Sequence, residues 1–339
     1  MGKKFTIGVL IGNVHTAHPK DLIRGIRAAA SGMDVNVIYF LGTQSVRFNQ
    51  KFALEDFDYQ YNTVYDYAKL AKVDVLIIAY GSLCIFQKNE DKQAFLDKFA
   101  GIPYVLLEDA TDDPRGIYVM VDNFGGMQKC VEHLIIEHHL KHLVYLGGPE
   151  DNQDAIERKA AFLNVMAEHH LPVTPEMMAV GDYSEFVDNL VEQLLKDNPD
   201  AEAIISANDE MTVACYRVCK AHGLRIGKDI LITGFDDVER ARYSNPPLTT
   251  VSQDAYKMGQ IAVEKAVDIC AGRPVESVRL DAELIIRESC GCKVTRRAKE
   301  KADEKTELLH IIDELRLFQH KSWLGPFLIR DLMQEAENE

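Results

Sequence analysis

The sequence predicts a doubly wound α/β protein, and three observations carry that expectation. Short β-branched runs alternate with amphipathic segments of helical period along most of the chain. The runs are nearly continuous in apolar residues, which suits parallel strands covered by helices on both faces. The units are numerous enough for two such sheets, and 339 residues is a length that favours two lobes over one small core.

The predicted strands, in order, are TIGVLIG from Thr6, VNVIYF from Val35, DVLIIA from Asp74, PYVLL from Pro103 and IYVMV from Ile117. HLVYLG from His142, AIIS from Ala203, DILITGF from Asp229 and SVRLDAELI from Ser277 complete the series. Between them the apolar spacing predicts helices over Pro19 to Ala30, Tyr59 to Leu70, Phe124 to Glu137, Asp154 to His169, Glu185 to Leu195, Asp209 to His222 and Asp254 to Ala271. The connection from Gly42 to Asp58 is long for an α/β unit, a length that is often functional. After Gly291 the style changes. A charged stretch leads to Leu308, Ile311, Ile312, Leu315 and Phe318 at helical spacing, then to WLGPFLIRDLM. This amphipathic tail has an apolar stripe to dock on the body, a sister chain or a further domain.

Composition limits the function classes. With 53 acidic against 38 basic side chains, the formal charge of -15 argues against tight nonspecific nucleic-acid binding by this chain alone. No apolar run approaches the ~18 residues of a membrane span, so no membrane partner is expected. Seven cysteines, an odd number spread over a long chain, point to reduced thiols and a cytoplasmic protein.

The common signatures of metalloproteases, zinc clusters, phosphate loops and serine hydrolases are missing from the sequence. Cys290-Gly291-Cys292 is a close thiol pair without a second pair at metal-ligand spacing, so neither a metal site nor a cofactor is expected. Cys215 and Cys219 share a helix face with Met211 and Ala214 and read as packing. His138, His139 and His142 stand at a helix exit, where cations complement the dipole.

Ligands of such folds lie outside the carboxyl ends of the strands. That position selects His15 and His18 after the first strand, Asn208 after AIIS, and Asp236-Asp237 after DILITGF. Asp209 reads as a helix cap, and the Asn208 carboxamide can both donate and accept toward a hydroxylated ligand. Arg158 offers a planar fork for paired hydroxyls or a carboxylate, or else is a surface arginine. Asp236-Asp237 lacks the further ligands of a metal site. Asp236 is expected to face the ligand, and Asp237 to serve a turn or cap.

Together IGVLIGNVHTAHPKDLIRGI, VDNFGGMQKCVEHLI, VYLGGPEDNQDAIERKAAF, ISANDEMTVA and ITGFDDVERARYSNPPLTTVSQD resemble the effector-binding core of the lactose-repressor family. That core is itself similar to periplasmic sugar-binding proteins, and the resemblance runs from about Thr6 to Cys292. It implies a periplasmic-binding-protein-like fold: two Rossmann-like parallel-sheet lobes joined by three crossovers around a cleft. The expected crossovers lie near Asp122, near Ser252 to Asp254 and near Gly272 to Glu276. The first lobe is then residues 5–122 plus 254–275, the second 123–253 plus 276–293, and 294–339 a helical connector or dimerisation tail.

Carried over residue by residue, the resemblance implies that Arg158 grips ligand hydroxyls, Asn208 supplies a carboxamide, Asp236 a cleft-facing carboxylate and Gln253 a hinge-side contact. His15 and His18 stand where the family places first-lobe contacts. Glu108 occupies the first-lobe half of the pocket after PYVLL, and Phe124 is a wall residue. The implied partners are a small effector (a sugar, a sugar phosphate or a purine-like molecule) and a second copy of the chain.

Glu108-Asp109 replaces a common Asp-Arg, and HTAHP replaces an Asn-Pro-Phe-Phe-like loop, so the first-lobe half of the pocket is expected to differ from that of the common sugar readers. The ligand class stays open among sugars, sugar phosphates and purines. The family's amino-terminal helix-turn-helix does not precede the first strand, so DNA is expected as a partner only through a module outside this chain. The tail resembles connectors in modular bacterial sensors. A sensing domain that relays lobe closure to an output module is the leading expectation, and a repressor core without its DNA-binding module is the alternative. An enzyme on the same fold, using Asp236, Glu108 or His18, and a dimerisation piece with a degenerate pocket are less favoured.

Overall fold

The computed structural model describes residues 4–14, 16–43, 58–85, 87, 89–111 and 113–293. His15, nearly all of the 42–58 connection and the 294–339 tail lie outside the described residues.

The first lobe opens with β1 (Phe5–Gly12), α1 (Ala17–Ser31) and β2 (Val35–Gly42), followed by α2 (Tyr67–Leu70) and β3 (Val75–Ile78). It continues through α3 (Tyr80–Leu83), α4 (Asn89–Asp97), β4 (Tyr104–Leu107) and β5 (Gly116–Val121). The chain then builds the second lobe: α5 (Asn123–Ile136), β6 (Leu143–Gly147), α6 (Gln153–Glu168), β7 (Met178–Val180), α7 (Asp188–Asp197) and β8 (Ala203–Ser206). α8 (Asp209–Ala221), β9 (Leu231–Thr233), α9 (Glu239–Tyr243) and β10 (Thr250–Ser252) complete its main run. α10 (Ala255–Cys270), β11 (Val278–Leu280) and β12 (Glu283–Ile285) follow.

The first sheet has the order β11-β5-β4-β3-β1-β2, and every pairing in it is parallel. β3 and β4 are buried along their whole length, as their unbroken apolar sequences require. On one side of this sheet Leu22 and Ile26 of α1 and Met258, Ala262 and Ala266 of α10 pack on Ile7, Val9 and Ile77. On the other, Phe95 and Phe99 pack on Leu76, Ile78 and Tyr104. The second sheet, β7-β6-β8-β9, is also parallel, and β10 pairs antiparallel with β12 beside it.

The chain passes between the two sheets at two points before β11. β5 ends at Val121 and the chain passes through Asp122 into α5, which packs on α6; after β10 it passes through Gln253 and Asp254 into α10, which packs on α1. Asp254 adopts a left-handed turn (φ 45°) and its carboxylate accepts from Lys257 N, capping α10. The third crossover differs from the expectation. β11 pairs with β5 in the first sheet, Val278 opposite Val119 and Leu280 opposite Val121, so residues 276–280 belong to the first lobe. The chain crosses at Asp281-Ala282, because the exposed backbone of β5 takes β11 as an edge strand before the return. The single strand expected from Ser277 to Ile285 is therefore two, in different sheets.

The helix expected over Tyr59 to Leu70 is a 3-10 segment, Asp58–Asp66, followed by the single turn of α2.

Candidate ligand-binding site

The first-lobe wall is built at the carboxyl ends of β1, β3 and β4. His18 enters from the first turn of α1, and its protonated Nε2 donates to Glu108 Oε1 at 2.5 Å. Glu108 follows β4 directly in a left-handed conformation (φ 71°). Its Oε2 accepts from the backbone N–H of Ser82 at 2.7 Å and from the Ser82 hydroxyl. A Cβ on Gly81 would stand 2.6 Å from the Glu108 Cβ, so glycine is what lets α3 approach this residue. Beside it Lys92 and Asp109 form a buried ion pair at 2.7 Å.

The second-lobe wall centres on Arg158, 2% exposed, on the second turn of α6. Its Nε donates to Asn123 Oδ1 at 2.8 Å and its Nη1 to the Ala207 carbonyl at 2.6 Å. The guanidinium lies 3.8 Å over the Phe235 ring centroid, a cation–π contact. Asp236 Oδ1 is 3.5 Å from Nη1, and Asp154 Oδ2 is 3.6 Å from Nη2. Gln253, buried at the second crossover, donates its amide to Asp236. Asp236 is held in place by its own N–H, which donates to Val251 O at 2.7 Å, and by a φ of 122°.

The electrostatics tie the two walls together. Burial by itself would lower the His18 pKa, but Glu108 and, across the cleft, Asp236 and Asp154 raise it to about 9. Burial opposes ionisation of Glu108, yet His18 and the Ser82 donors hold its carboxyl below the usual range. Asp154 is raised to about 7, first by burial and then by Glu108, Asp109 and Asp236, with Arg158 acting the other way. Asp236 is raised by burial too, against the pull of Arg158 and His18.

The structure brings His18, Glu108, Arg158, Asp236 and Gln253 to one cleft. The other expected residues stand differently. Asn208, not Asp209, caps α8: its Oδ1 accepts from Met211 N, and its Nδ2 donates to Tyr183 O. Its carboxamide is thereby engaged within the second lobe. Asp209 lies in the first turn of α8, where its carboxylate accepts from Thr250 Oγ1 at 2.6 Å and Val238 N at 3.0 Å. Phe124 packs half-buried on the second-lobe core, and the polar work falls to its neighbour Asn123. Asp237 turns away to pair with Arg287 (2.6 Å) and Arg242 (3.0 Å), beyond the turn or cap role expected of it. Asp154 and Asn123 were missed from sequence. Asp154 was legible in principle, because the spacing i to i+4 puts it on the same face of α6 as Arg158.

A groove of about 1150 Å³, lined by residues of both lobes, among them Tyr80, Lys92, Asp109, Arg115, Gln153 and Glu157, includes none of His18, Glu108, Arg158, Asp236 and Gln253 in its walls. Arg279 of β11 closes one side, its Nη1 donating to Glu157 Oε2 of α6 at 2.9 Å across the lobe boundary.

Comparison with known proteins agrees with this architecture. The family described as periplasmic binding protein-like domain matches residues 131–290. The HTH-type transcriptional regulator CelR of Thermobifida fusca is 30% identical over 216 residues, 61% of this chain and 62% of that protein. The HTH-type transcriptional repressor CytR of Escherichia coli K12 is 26% identical over 287 residues, 84% of this chain and 79% of that one. By these matches the chain is similar to the effector-binding core of lactose-repressor-type regulators. The lac repressor dimer bound to operator and an anti-inducer superposes with a TM-score of 0.71 at 23% identity, over 86% of this chain and 82% of that one. The CelR–cellobiose complex superposes with a TM-score of 0.70 at 23% identity, over 84% of both chains. The core spans 62% of the length of the CelR relative and 56% of a PurR repressor from Aliivibrio fischeri (strain MJ11) that is 29% identical over 57% of this chain. The relatives found are named as transcriptional regulators, not enzymes. Among the described residues no helix is long and apolar enough to cross a membrane.

Proposed function

We propose that this chain is the small-molecule-sensing core of a cytoplasmic bacterial transcriptional regulator, working as a homodimer, whose lobes close on a neutral, hydroxyl-bearing effector. The observation that carries the proposal is the His18–Glu108 pair of the first lobe facing Asp236, Asp154 and Arg158 of the second. A ligand bridging those walls touches both lobes, so it binds the closed form better and shifts the open–closed equilibrium by that difference. Four carboxylates (Glu108, Asp109, Asp154, Asp236) face three cations (His18, Lys92, Arg158), a balance that favours sugar-like hydroxyls over a phosphate. The relatives' names favour coupling to a DNA-binding module over the relay to a downstream signalling output that the tail suggests.

The test is a thermal-shift screen of the purified chain against disaccharides including cellobiose, monosaccharides, sugar phosphates and purines, followed by calorimetry of the hits. A neutral sugar should raise the melting temperature of the wild type and leave that of Arg158→Lys unchanged. Stabilisation by sugar phosphates alone would overturn the neutral-effector assignment. Turnover of the bound sugar would overturn the sensor reading.

A further inference from the structure

A second constellation lies at the far end of the second lobe. His133 on the last turns of α5, His138 just beyond its end, and Cys290 and Cys292 after β12 place one nitrogen or sulfur each within 4.8 Å of one another. His133 Nε2 is 3.3 Å from His138 Nε2, Cys292 Sγ is 3.4 Å from His138 Nε2, and Cys292 Sγ is 3.8 Å from His133 Nε2. A tetrahedron of imidazole nitrogens and thiolate sulfurs around zinc, with bonds of about 2.0–2.3 Å, has edges of roughly 3.3–3.8 Å. The three separations fall on those edges.

We propose that His133, His138, Cys290 and Cys292 form a structural site for a zinc-class divalent cation. The chemistry balances: each thiol gives its proton to solvent, both imidazoles bind neutral, no electron is transferred, and two thiolates cancel the charge of the dication. The local backbone is shaped for it. Gly291 adopts φ 87° between the two cysteines, where its missing Cβ avoids Gly227 O, and His139 turns left-handed (φ 58°) directly after His138. The Thr249 hydroxyl donates to Cys290 Sγ at 3.1 Å, the kind of outer contact that stabilises a thiolate ligand. His138 also stands in the wall of an open groove of about 440 Å³, where Asp200, Glu202 and Asp229 outnumber Lys228 and would draw a cation in. The bound ion would fasten the segment after β12 to the end of α5, two stretches more than 150 residues apart in sequence.

The full chain, stripped with chelator under reductant, is titrated with zinc and with cobalt(II), alongside His138→Ala, Cys292→Ser and the control Cys270→Ser. The wild type and the control should take up one equivalent, give the intense visible bands of tetrahedral cobalt–thiolate and melt at higher temperature when loaded. The two ligand variants, folded by circular dichroism, should lose affinity by more than about 100-fold, beyond the loss typical of an outer-sphere partner. A wild type that binds no zinc, an octahedral cobalt spectrum, or equal uptake by His138→Ala and Cys292→Ser would overturn the site.

Discussion

Arg158 Nη1 lies 3.5 Å from Asp236 Oδ1, while the same guanidinium stacks over Phe235 and reaches Asn123, so one fully buried cation organises the second-lobe wall. Arg158→Met is expected to lower the unfolding free energy by about 3–5 kcal/mol at pH 7, because Asp154 and Asp236 are left buried without their cation. Urea denaturation measures this. Wild-type stability would show that solvent, not Arg158, balances those carboxylates.

The His18–Glu108 pair gives stability a signed pH dependence. The folded pKa of His18 is raised from 6.5 to about 9, so its contribution is complete below 6.5 and is lost as pH rises through 9. Glu108 is lowered, so its contribution is present above the ordinary carboxyl range and is lost as pH falls through the lowered value. Melting temperature of the wild type should therefore decline between pH 7 and 10. His18→Gln should show a shallower decline over the same range. Parallel profiles would assign the alkaline loss to other groups.

Arg279 and Glu157 join the lobes through an ion pair that leaves Arg279 partly exposed. Such a pair is worth about 0.2–1 kcal/mol. Arg279→Ala should therefore shift the open–closed equilibrium toward open by up to about fivefold, with an equal loss of effector affinity. Small-angle scattering reads the first and calorimetry the second, and the wild-type value should approach that of the variant at high salt.

α1 and α10 meet through glycines. A Cβ on Gly25 would stand 1.9 Å from Tyr256 O, and one on Gly259 would stand 2.4 Å from Leu22 O. Gly25→Ala should cost about 1–3 kcal/mol by forcing the helices apart, despite the better helix propensity of alanine. A rise in melting temperature would mean the helices separate freely.

By itself the sequence carried the α/β class and the alternation of most strands and helices, though not the short β7, β10, α3, α4 and α9, and it showed that His18, Glu108 and Asp236 follow strands. These are local matters: apolar period selects helix or strand, and a polar residue directly after a parallel strand reaches the cleft by geometry. The tertiary structure decided what depends on partners distant in the chain. β11 joined β5 because that edge was open, which moved the third crossover to Asp281-Ala282. Asn208 took the helix cap, and Asp209, beside it, was claimed by Thr250 and Val238. His133 and His138 met Cys290 and Cys292 only because α5 and the end of the second lobe pack together. Spacing along a sequence records which neighbours a residue keeps on its own helix or strand; which strangers it meets is set by how those elements bury one another.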